Sequence, residues 1–170
     1  MIFLSLGSNL SSRFGDKFDN LNLAMSYLDN YKILIDKKSS FYQTPSYPNK
    51  KEPNFINVTI SVKTQLPPVD LFTVLIFIEE KLERKRNMKN DPRTCDIDII
   101  DYNGEILDLK YKNFDLLIPH KNLRLRNFVL YPLQEISPKW KHPKSKEIIN
   151  RLIDALPNED KNSILMVEKN

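Results

Sequence analysis

The chain has few of the residues on which several common kinds of site depend. It contains three glycines, Gly7, Gly15 and Gly104, too few and too scattered for a P-loop or a G-x-G-x-x-G dinucleotide fingerprint. Any nucleotide must therefore be held by side chains and metal. A single cysteine, Cys95, excludes an internal disulfide and fits a reducing cytoplasm. No basic segment precedes the first apolar residues and no long apolar run occurs, so we expect a cytoplasmic protein without signal peptide or membrane span.

The composition is that of an ordinary globular domain. Hydrophobic residues make up 41% and charged residues 28% of the chain, and no internal repeat is evident. A length of 170 residues is most simply one domain, covering residues 1–170. The net charge of +4 and the pI of about 9.0 favour a polyanionic ligand such as a nucleotide or a nucleic acid, without choosing between them.

The segment with the most candidate functional side chains is 92–100, Pro-Arg-Thr-Cys-Asp-Ile-Asp-Ile-Ile. If it is a strand, alternation puts Asp96 and Asp98 on one face and the apolar residues on the other. Two adjacent carboxylates repel each other unless a cation compensates, and Mg²⁺ with phosphate oxygens suits such a pair. Arg93 offers a planar donor fork for phosphate. A solvated acidic edge strand is the alternative for an isolated Asp-x-Asp.

Apolar periodicity and turn residues divide the chain into alternating strands and helices. Their order implies a sheet with helices on one face, a compact α+β sandwich. The tail after residue 156 gives no functional inference. The predicted elements are strands at 2–6, 33–42 and 55–63, helices at 13–30 and 67–85, the strand at 92–100, a hairpin through Asn103-Gly104 that returns at 105–109, an apolar run at 116–119, a helix from 128 and a C-terminal helix at 147–156.

The clearest strand, 55–63, alternates strictly between an apolar face and a polar one. Phe55 and Asn57 share the polar face, where a ring and an amide could stack against and hydrogen-bond a flat heterocycle; a surface Phe beside an exposed Asn is equally compatible. The proline-containing loop 44–53 is typical of a binding loop. The basic run 84–91 leads to the two carboxylates, which favours a phosphate site.

Taken together, the motifs closely resemble the 6-hydroxymethyl-7,8-dihydropterin pyrophosphokinase family. The resemblance covers about residues 2–143 and leaves the helix 147–156 and the tail outside it. It implies a ferredoxin-like α+β sandwich, a mostly antiparallel sheet with helices packed on it. The motifs are Gly7-Ser8-Asn9, Phe41-Tyr42-Gln43-Thr44-Pro45, Phe55-Ile56-Asn57, Glu79 with Arg84, Pro92-Arg93-Thr94 with Asp96-x-Asp98, Pro119-His120, and the run from Arg126 to Pro132.

The resemblance implies transfer of pyrophosphate from ATP to the hydroxymethyl group of the dihydropterin, releasing AMP, in folate biosynthesis. It implies that Asp96 and Asp98 hold two Mg²⁺ ions and that Arg84 and Arg93 act catalytically on the ATP phosphates. A monomer without nucleic-acid or membrane partners is expected. The implied nucleotide-site residues are Glu79, Arg84, Arg93, Ile99, His120 and Arg126, and the implied pterin-site residues are Thr44, Pro45, Phe55, Asn57 and Phe128.

Three departures from the family pattern are visible. Many members have Trp-Gly where this chain has Asn90-Asp91, and the chain is one residue shorter there. Asp115 replaces an arginine that often contacts phosphate, and the loop after Pro45 carries Ser46-Tyr47 and two lysines. We expect the chemistry to survive and nucleotide affinity or loop kinetics to differ.

Two other functional classes share some of these features. An RNA-recognition domain would also have a ferredoxin-like sheet and a basic surface, but it needs exposed aromatics on central strands, where this chain has paired Asp. A Mg²⁺-dependent nuclease or nucleotidyltransferase could use the Asp pair and the basic loop. It does not explain the pterin-site residues or Pro119-His120.

Overall fold

The computed structural model describes residues 1–47, 49–84, 91–111 and 114–169. Most of the predicted basic loop, including Asn90, and Pro48 of the predicted binding loop lie outside these residues. The strands are β1 (Ile2–Ser8), β2 (Leu34–Lys38), β3 (Phe41–Thr44), β4 (Phe55–Lys63), β5 (Asp96–Tyr102), β6 (Leu107–Tyr111), β7 (Phe114–Ile118) and β8 (Leu165–Val167), and the helices are α1 (Lys17–Asp29), α2 (Pro68–Lys81), α3 (Asn127–Ile136), α4 (Ile149–Asp154) and α5 (Asn158–Asn162). Within the described ranges, no helix has the length and apolar character needed to cross a membrane.

The main sheet is antiparallel, with strand order β5-β1-β4-β3-β8 and β2 also paired with β4. The core order β5-β1-β4 followed by β2 and β3 is the arrangement that a β-α-β-β-α-β chain gives when two split units interlock. The predicted mostly antiparallel α+β sandwich is confirmed.

The strand predicted at 33–42 is broken into β2 and β3, which pair with opposite ends of β4. The break falls at Ser39, whose backbone N donates to Thr59 O while its Oγ accepts from Thr59 N at 3.0 Å. The serine hydroxyl replaces the backbone carbonyl that would accept from Thr59 N in a continuous strand. The strand can therefore be interrupted here while Thr59 N keeps a hydrogen-bond acceptor.

Helices α1 and α2 cover one face of the sheet. The apolar face of β4 predicted from its alternation packs against them, with Ile56 and Ile60 almost fully buried. Helix α1 begins later than predicted because Asp16 caps it, accepting from Phe18 N and Asp19 N at 2.8 and 3.0 Å.

Helices α3 and α4 cover the other face, so the sheet carries helices on both faces rather than on one. Their core includes Phe3 of β1 and Ile100 of β5. Because α3 packs on β3 and β4, the polar face predicted for β4 is buried: Asn57, Thr59 and Ser61 are all within 3% exposure.

The hairpin predicted between 92–100 and 105–109 is wrong. Asn103 and Gly104 do adopt the positive φ angles of a tight turn, 54° and 76°. Strand β6 nevertheless pairs with β7 in a separate two-stranded sheet and not with β5. Leu116 and Ile118 of β7 are buried in the main core beside residues of β5, and β6 pairs with this anchored strand instead of with β5.

The C-terminal tail is structured. Helix α4 ends two residues earlier than the predicted helix, α5 follows, and β8 joins the sheet beside β3 with Tyr42 opposite Met166. The apolar segment 164–167, for which no role is predicted from the sequence, supplies the strand that ends the main sheet on this side.

Candidate functional site

The two carboxylates project from β5, which begins at Asp96 rather than at Pro92. Ile97 and Ile99 between and beyond them are buried in the core under α1 and α2, so Asp96 and Asp98 share the opposite face as predicted. In the described part of the chain β5 pairs only with β1, and it is therefore an edge strand of the main sheet rather than a central one. The Asp96 and Asp98 side chains remain 24% and 32% exposed, so both carboxylates can be reached by a ligand.

Asp96 lies between two guanidinium groups. Arg84 Nη1 is 2.5 Å from Asp96 Oδ1, and Arg93 Nε is 2.9 Å from Oδ2. Burial by itself would raise the pKa of the Asp96 carboxyl, but the charges of Arg84 and then Arg93 outweigh it, and the pKa is lowered below its usual value. Asp96 is therefore ionised at neutral pH.

Glu79 of α2 is almost fully buried, which is unusual for a carboxylate. Its Oε1 accepts from Ile97 N at 2.7 Å and lies 2.5 Å from Arg84 Nη1. A buried charge needs such partners, because leaving it unpaired costs several kcal/mol. The predicted nucleotide-site residue Glu79 thus joins the end of α2 to β5 and orients Arg84.

Asp98 has its own arginine. Arg126, the residue that precedes α3, donates from Nη1 to Asp98 Oδ2 at a distance of 2.6 Å. His120 lies near the same pair: its pKa is lowered, first by burial and then through Arg126, while Asp98 opposes the shift. Its Nδ1 accepts from Asn122 N at 3.1 Å, which leaves Nε2 to meet a ligand.

The predicted pterin residues of β3 and β4 are adjacent. Thr44 pairs with Phe55 across the ladder, and Pro45 follows it directly. Asn57 Nδ2 donates to Thr44 Oγ1 at 3.0 Å and to Tyr42 O at 3.3 Å, and both side chains are buried. The amide of Asn57 is therefore held in one orientation, as a group that reads a heterocycle edge must be.

Arginines connect the carboxylates to the two predicted aromatic residues. The guanidinium of Arg93, which pairs with Asp96, lies over the Phe55 ring at 5.0 Å from its centroid. In the same way Arg126 pairs with Asp98 and lies over the Phe128 ring at 5.4 Å. Cation–π contact is favourable at these distances. In each of the two pairs, a single arginine therefore contacts both a carboxylate and an aromatic ring of the site.

Asn9, the last residue of the Gly7-Ser8-Asn9 motif, connects two segments that lie far apart in the sequence. Its Oδ1 accepts from Arg93 N at 2.7 Å, and its Nδ2 donates to Ser46 Oγ and Pro53 O, each at 3.2 Å. One buried amide therefore fixes both the arginine segment and the loop after β3. The Gly7-Ser8-Asn9 turn signal was available, but nothing local indicates contacts this far along the chain.

A cleft of about 640 Å³ adjoins Arg84 and Arg93. Leu10 and Thr94 are among its lining residues, and the Thr94 hydroxyl is buried without a hydrogen-bond partner. A volume of this size is in the range of small-molecule sites. The cleft lies where the resemblance expects nucleotide phosphates.

Two predicted positions stand apart from this cluster. The side chain of Ile99 is buried in the core on the far side of β5, so only its backbone is left for a nucleotide contact. Asp115, one of the departures, lies in β7 opposite Lys110 of β6.

The residues present fit a hard divalent cation that is shared with a substrate. Among the described residues no group of three or more His, Cys, Asp or Glu side chains forms a closed metal site. Mg²⁺ does not need one, since it takes one or two carboxylates together with water and substrate phosphate oxygens. Asp96 and Asp98 provide that partial ligand set.

A family model described as 7,8-dihydro-6-hydroxymethylpterin-pyrophosphokinase (HPPK) matches residues 3–138. The chain belongs to this family. The match ends soon after α3, so α4, α5 and β8 lie outside it. This membership agrees with the resemblance that the motifs indicated.

Individual relatives agree with the family. The 2-amino-4-hydroxy-6-hydroxymethyldihydropteridine pyrophosphokinase of Synechocystis sp. is 35% identical over 154 residues, which are 90% of this chain and 74% of the relative. The folic acid synthesis protein FOL1 of Dictyostelium discoideum is 37% identical over 158 residues, 93% of this chain, and this chain spans only 23% of that protein.

Among solved structures, a crystal structure of a Plasmodium falciparum HPPK-DHPS variant with pterin and p-hydroxybenzoate superposes with a TM-score of 0.72 at 17% identity. The superposition covers 99% of this chain and 47% of that one. At this identity the likeness supports the fold alone.

Proposed function

We propose that the protein transfers pyrophosphate from ATP to 6-hydroxymethyl-7,8-dihydropterin in a Mg²⁺-dependent reaction, releasing AMP. One observation carries the proposal: each site carboxylate is linked through an arginine to one predicted pterin ring, Asp96 through Arg93 and Asp98 through Arg126. Pyrophosphate transfer needs this adjacency, because the attacking hydroxyl must lie next to the phosphates of the second substrate.

On the nucleotide side, the arginines would exchange partners when substrates bind. Mg²⁺, as two ions held by Asp96 and Asp98 together with phosphate oxygens, would supply positive charge against the triphosphate. Arg84 and Arg93, freed from Asp96, would then donate to phosphate oxygens, for which a guanidinium fork is well shaped. Glu79 would keep Arg84 in place through its remaining contact.

On the pterin side, Phe55 and Phe128 would stack on the two faces of the heterocycle, with Arg93 and Arg126 moving off the rings to the phosphates. Asn57, held by Thr44, would present its amide to the polar edge of the ring. The backbone that follows Pro45 would supply the remaining hydrogen bonds.

In the reaction, the hydroxymethyl oxygen would form a bond to the β-phosphorus of ATP. The bond from that phosphorus to the oxygen bridging it to the α-phosphorus would break, so AMP leaves with the electron pair and the hydroxyl proton passes to solvent. Because the transferred group is already activated, the side chains contribute orientation and charge stabilisation rather than covalent catalysis.

The test is product analysis with ATP, Mg²⁺ and 6-hydroxymethyl-7,8-dihydropterin, resolving AMP from ADP. We expect AMP and the pterin diphosphate to appear in equal amounts, and neither to appear without the pterin or with EDTA present. ADP as the nucleotide product would contradict pyrophosphate transfer. AMP released without pterin diphosphate would identify a hydrolase or nucleotidyltransferase instead.

A further inference from the structure

The C-terminal arm, defined as residues 157–169, lies outside the part of the chain that matches the family model. It contains α5 and β8 and contacts the body of the protein at several places, including Asp154 O of α4, to which Lys161 Nζ donates at 2.6 Å. We propose that this arm positions the dihydropterin-binding residues. The proposal rests on the proposed function, and it assigns a role to a segment that the match at residues 3–138 does not cover.

The first contact is with β3. Strand β8 pairs antiparallel with it, Val167 opposite Phe41 and Leu165 opposite Gln43, and Val167 is half-buried against the main core. Strand β3 has four residues and ends at Thr44, the partner of the Asn57 amide. So short a strand frays readily when its outer edge is unpaired, and β8 supplies that pairing.

The second contact is with the start of α3. Asn127 is buried, and its Nδ2 donates to Asp160 O at 2.6 Å and to Ser163 Oγ at 3.1 Å in the arm. Its Oδ1 accepts from Phe128 N at 2.7 Å. Asn127 lies between Arg126, which pairs with Asp98, and Phe128, which is proposed to stack on the pterin. The arm therefore holds the backbone that connects these two site residues.

Two exposed ion pairs complete the attachment. Glu159 of α5 pairs with Lys50 in the loop that follows Pro45, and Lys169 pairs with Asp19 of α1. Exposed pairs contribute little stability on their own. Lys50 nevertheless ties the arm to a third segment of the pterin side, in addition to β3 and the start of α3.

The arm therefore touches β3, the loop after Pro45 and the start of α3, and through β3 and Thr44 it supports Asn57 of β4. Within the described residues it makes no hydrogen bond or ion pair with Arg84, Arg93 or Asp96. Holding these segments in their bound geometry before the pterin arrives reduces the entropy lost on binding. Loosening the arm should thus weaken dihydropterin binding selectively and leave Mg²⁺-ATP binding almost unchanged.

The decisive variant is Asn127→Asp in the full chain. It keeps the acceptor for Phe128 N and suits a helix N-terminus, but it removes the donor to the arm. Gln134→Glu is the matched control, since Gln134 lies on the same helix and its amide donates to the exposed Asn150 rather than to the arm. We expect the KM for dihydropterin to rise about tenfold in Asn127→Asp, with kcat and the KM for ATP changed less than about twofold, and no change in the control.

A second full-chain variant tests β8 itself. Neighbouring strand residues direct their N–H groups to opposite sides, so Leu165→Pro combined with Met166→Pro removes a donor facing β3 whichever register faces it. The same selective rise in the KM for dihydropterin is expected. An unchanged KM in both variants, or a parallel rise in the KM values for dihydropterin and ATP, would overturn the proposal.

Hydrogen exchange separates this proposal from the proposed function. Amides of 41–47 and 126–130 should exchange faster in both variants while those of β5 keep their rates. If the wild-type protein makes no pterin diphosphate, this pattern still supports positioning by the arm. Unchanged exchange in 41–47 would overturn it whatever the substrate.

Discussion

At Asp96 and Asp98, the partner of each carboxylate is an arginine that the proposed reaction also needs. Asp96→Asn or Asp98→Asn keeps the size of the side chain and removes the charge that would bind Mg²⁺. We expect kcat/KM to fall by about 10²-fold or more, equivalent to several kcal/mol of transition-state stabilisation. The measurement is the initial rate of AMP formation at several Mg²⁺ concentrations.

Folding must be shown to persist in these variants. Circular dichroism should be unchanged, and Asp108→Asn, on the exposed strand β6, serves as a control that should keep full activity. Wild-type rates in Asp96→Asn would remove that carboxylate from the metal site.

We expect Arg84 to have both a kinetic and a structural role. Arg84→Ala should lower kcat by about 10²-fold, the loss typical of one donor to developing charge. It should also lower the free energy of unfolding by about 3–5 kcal/mol, because buried Glu79 loses its paired cation. Steady-state kinetics and urea unfolding measure the two effects, and Arg84→Ala with Glu79→Gln should recover stability without recovering kcat. A change confined to the KM for ATP would mean that Arg84 only binds.

At the scale of elements, the register of β1 against β4 sets the room beside Asn57. Gly7 pairs with Asn57, and a Cβ on Gly7 would lie 3.2 Å from Asn57 Oδ1 and 3.6 Å from the Phe55 ring. Gly7→Ala should displace the amide by a few tenths of an ångström. We expect the KM for dihydropterin to rise about tenfold, the effect of roughly 1–2 kcal/mol of overpacking, with ATP binding unchanged.

Isothermal titration with each substrate checks this prediction. Ser5→Ala, at a buried position two residues earlier on β1, is the control. Equal loss of affinity for both substrates would show that the added methyl group disturbs the sheet rather than the pterin pocket.

The turn after α3 predicts a pH dependence of stability. His142 is buried, and its Nδ1 accepts from Lys144 N and Ser145 N at 3.2 and 3.1 Å, which requires the neutral ring. Burial, then Arg124, lowers the pKa of His142 below its ordinary 6.5, against the opposing charges of Glu147 and Asp101. The unfolded chain thus takes up the proton first as the pH falls, so stability is full above about pH 6.5 and decreases below it.

Thermal unfolding between about pH 5 and 7.5 measures this dependence. His142→Asn keeps a side-chain oxygen that can accept from the same two amides, and it should flatten the slope. The residual slope belongs to His120, whose pKa is also lowered. An unaltered slope in His142→Asn would contradict the assignment.

Local sequence patterns predicted where the strands lie better than they predicted which strands pair with each other. The alternation at 55–63 identified β4 and its apolar face, and the Asp-x-Asp alternation identified the face of β5. The break at Ser39 was missed because it depends on Thr59, 20 residues further along the chain. The departure of β6 from β5 was missed because the next strand, β7, pairs with β6 instead, and the turn signal at Asn103-Gly104 does not reveal that competition.

The site was predictable in its residue types and not in its connections. The motifs named the carboxylates, the arginines and the two rings, but the pairing of Arg126 with Asp98 spans 28 residues and that of Asn9 with Arg93 spans 84. No periodicity encodes such contacts, since they follow from the register of the sheet and the docking of α3. The pairing of the C-terminal arm with the sheet was not predicted, because β8 has only three residues and is too short to show a periodic pattern.

For the whole molecule, the ion pairs between the two site carboxylates and the arginines make Mg²⁺ binding depend on the presence of a phosphate ligand. Mg²⁺ alone must compete with Arg84, Arg93 and Arg126 for the carboxylates and offers the arginines no new partner. Mg²⁺ with a non-hydrolysable ATP analogue provides phosphate oxygens to both, so the charges remain paired throughout the exchange. The net charge of +4 also favours the approach of the anionic complex over that of the bare cation.

Thermal unfolding should therefore distinguish the two additions. At 100 times its dissociation constant the Mg²⁺-analogue complex should stabilise the protein by about 2.7 kcal/mol, or roughly 5–10 °C in Tm, whereas millimolar Mg²⁺ alone should shift Tm by less than about 1 °C. Asp98→Asn should lose most of the first shift, and single-stranded RNA should produce none in the wild type. A large shift with Mg²⁺ alone would mean that the carboxylates bind metal before the nucleotide, and the partner exchange between arginine and phosphate would then have to be abandoned.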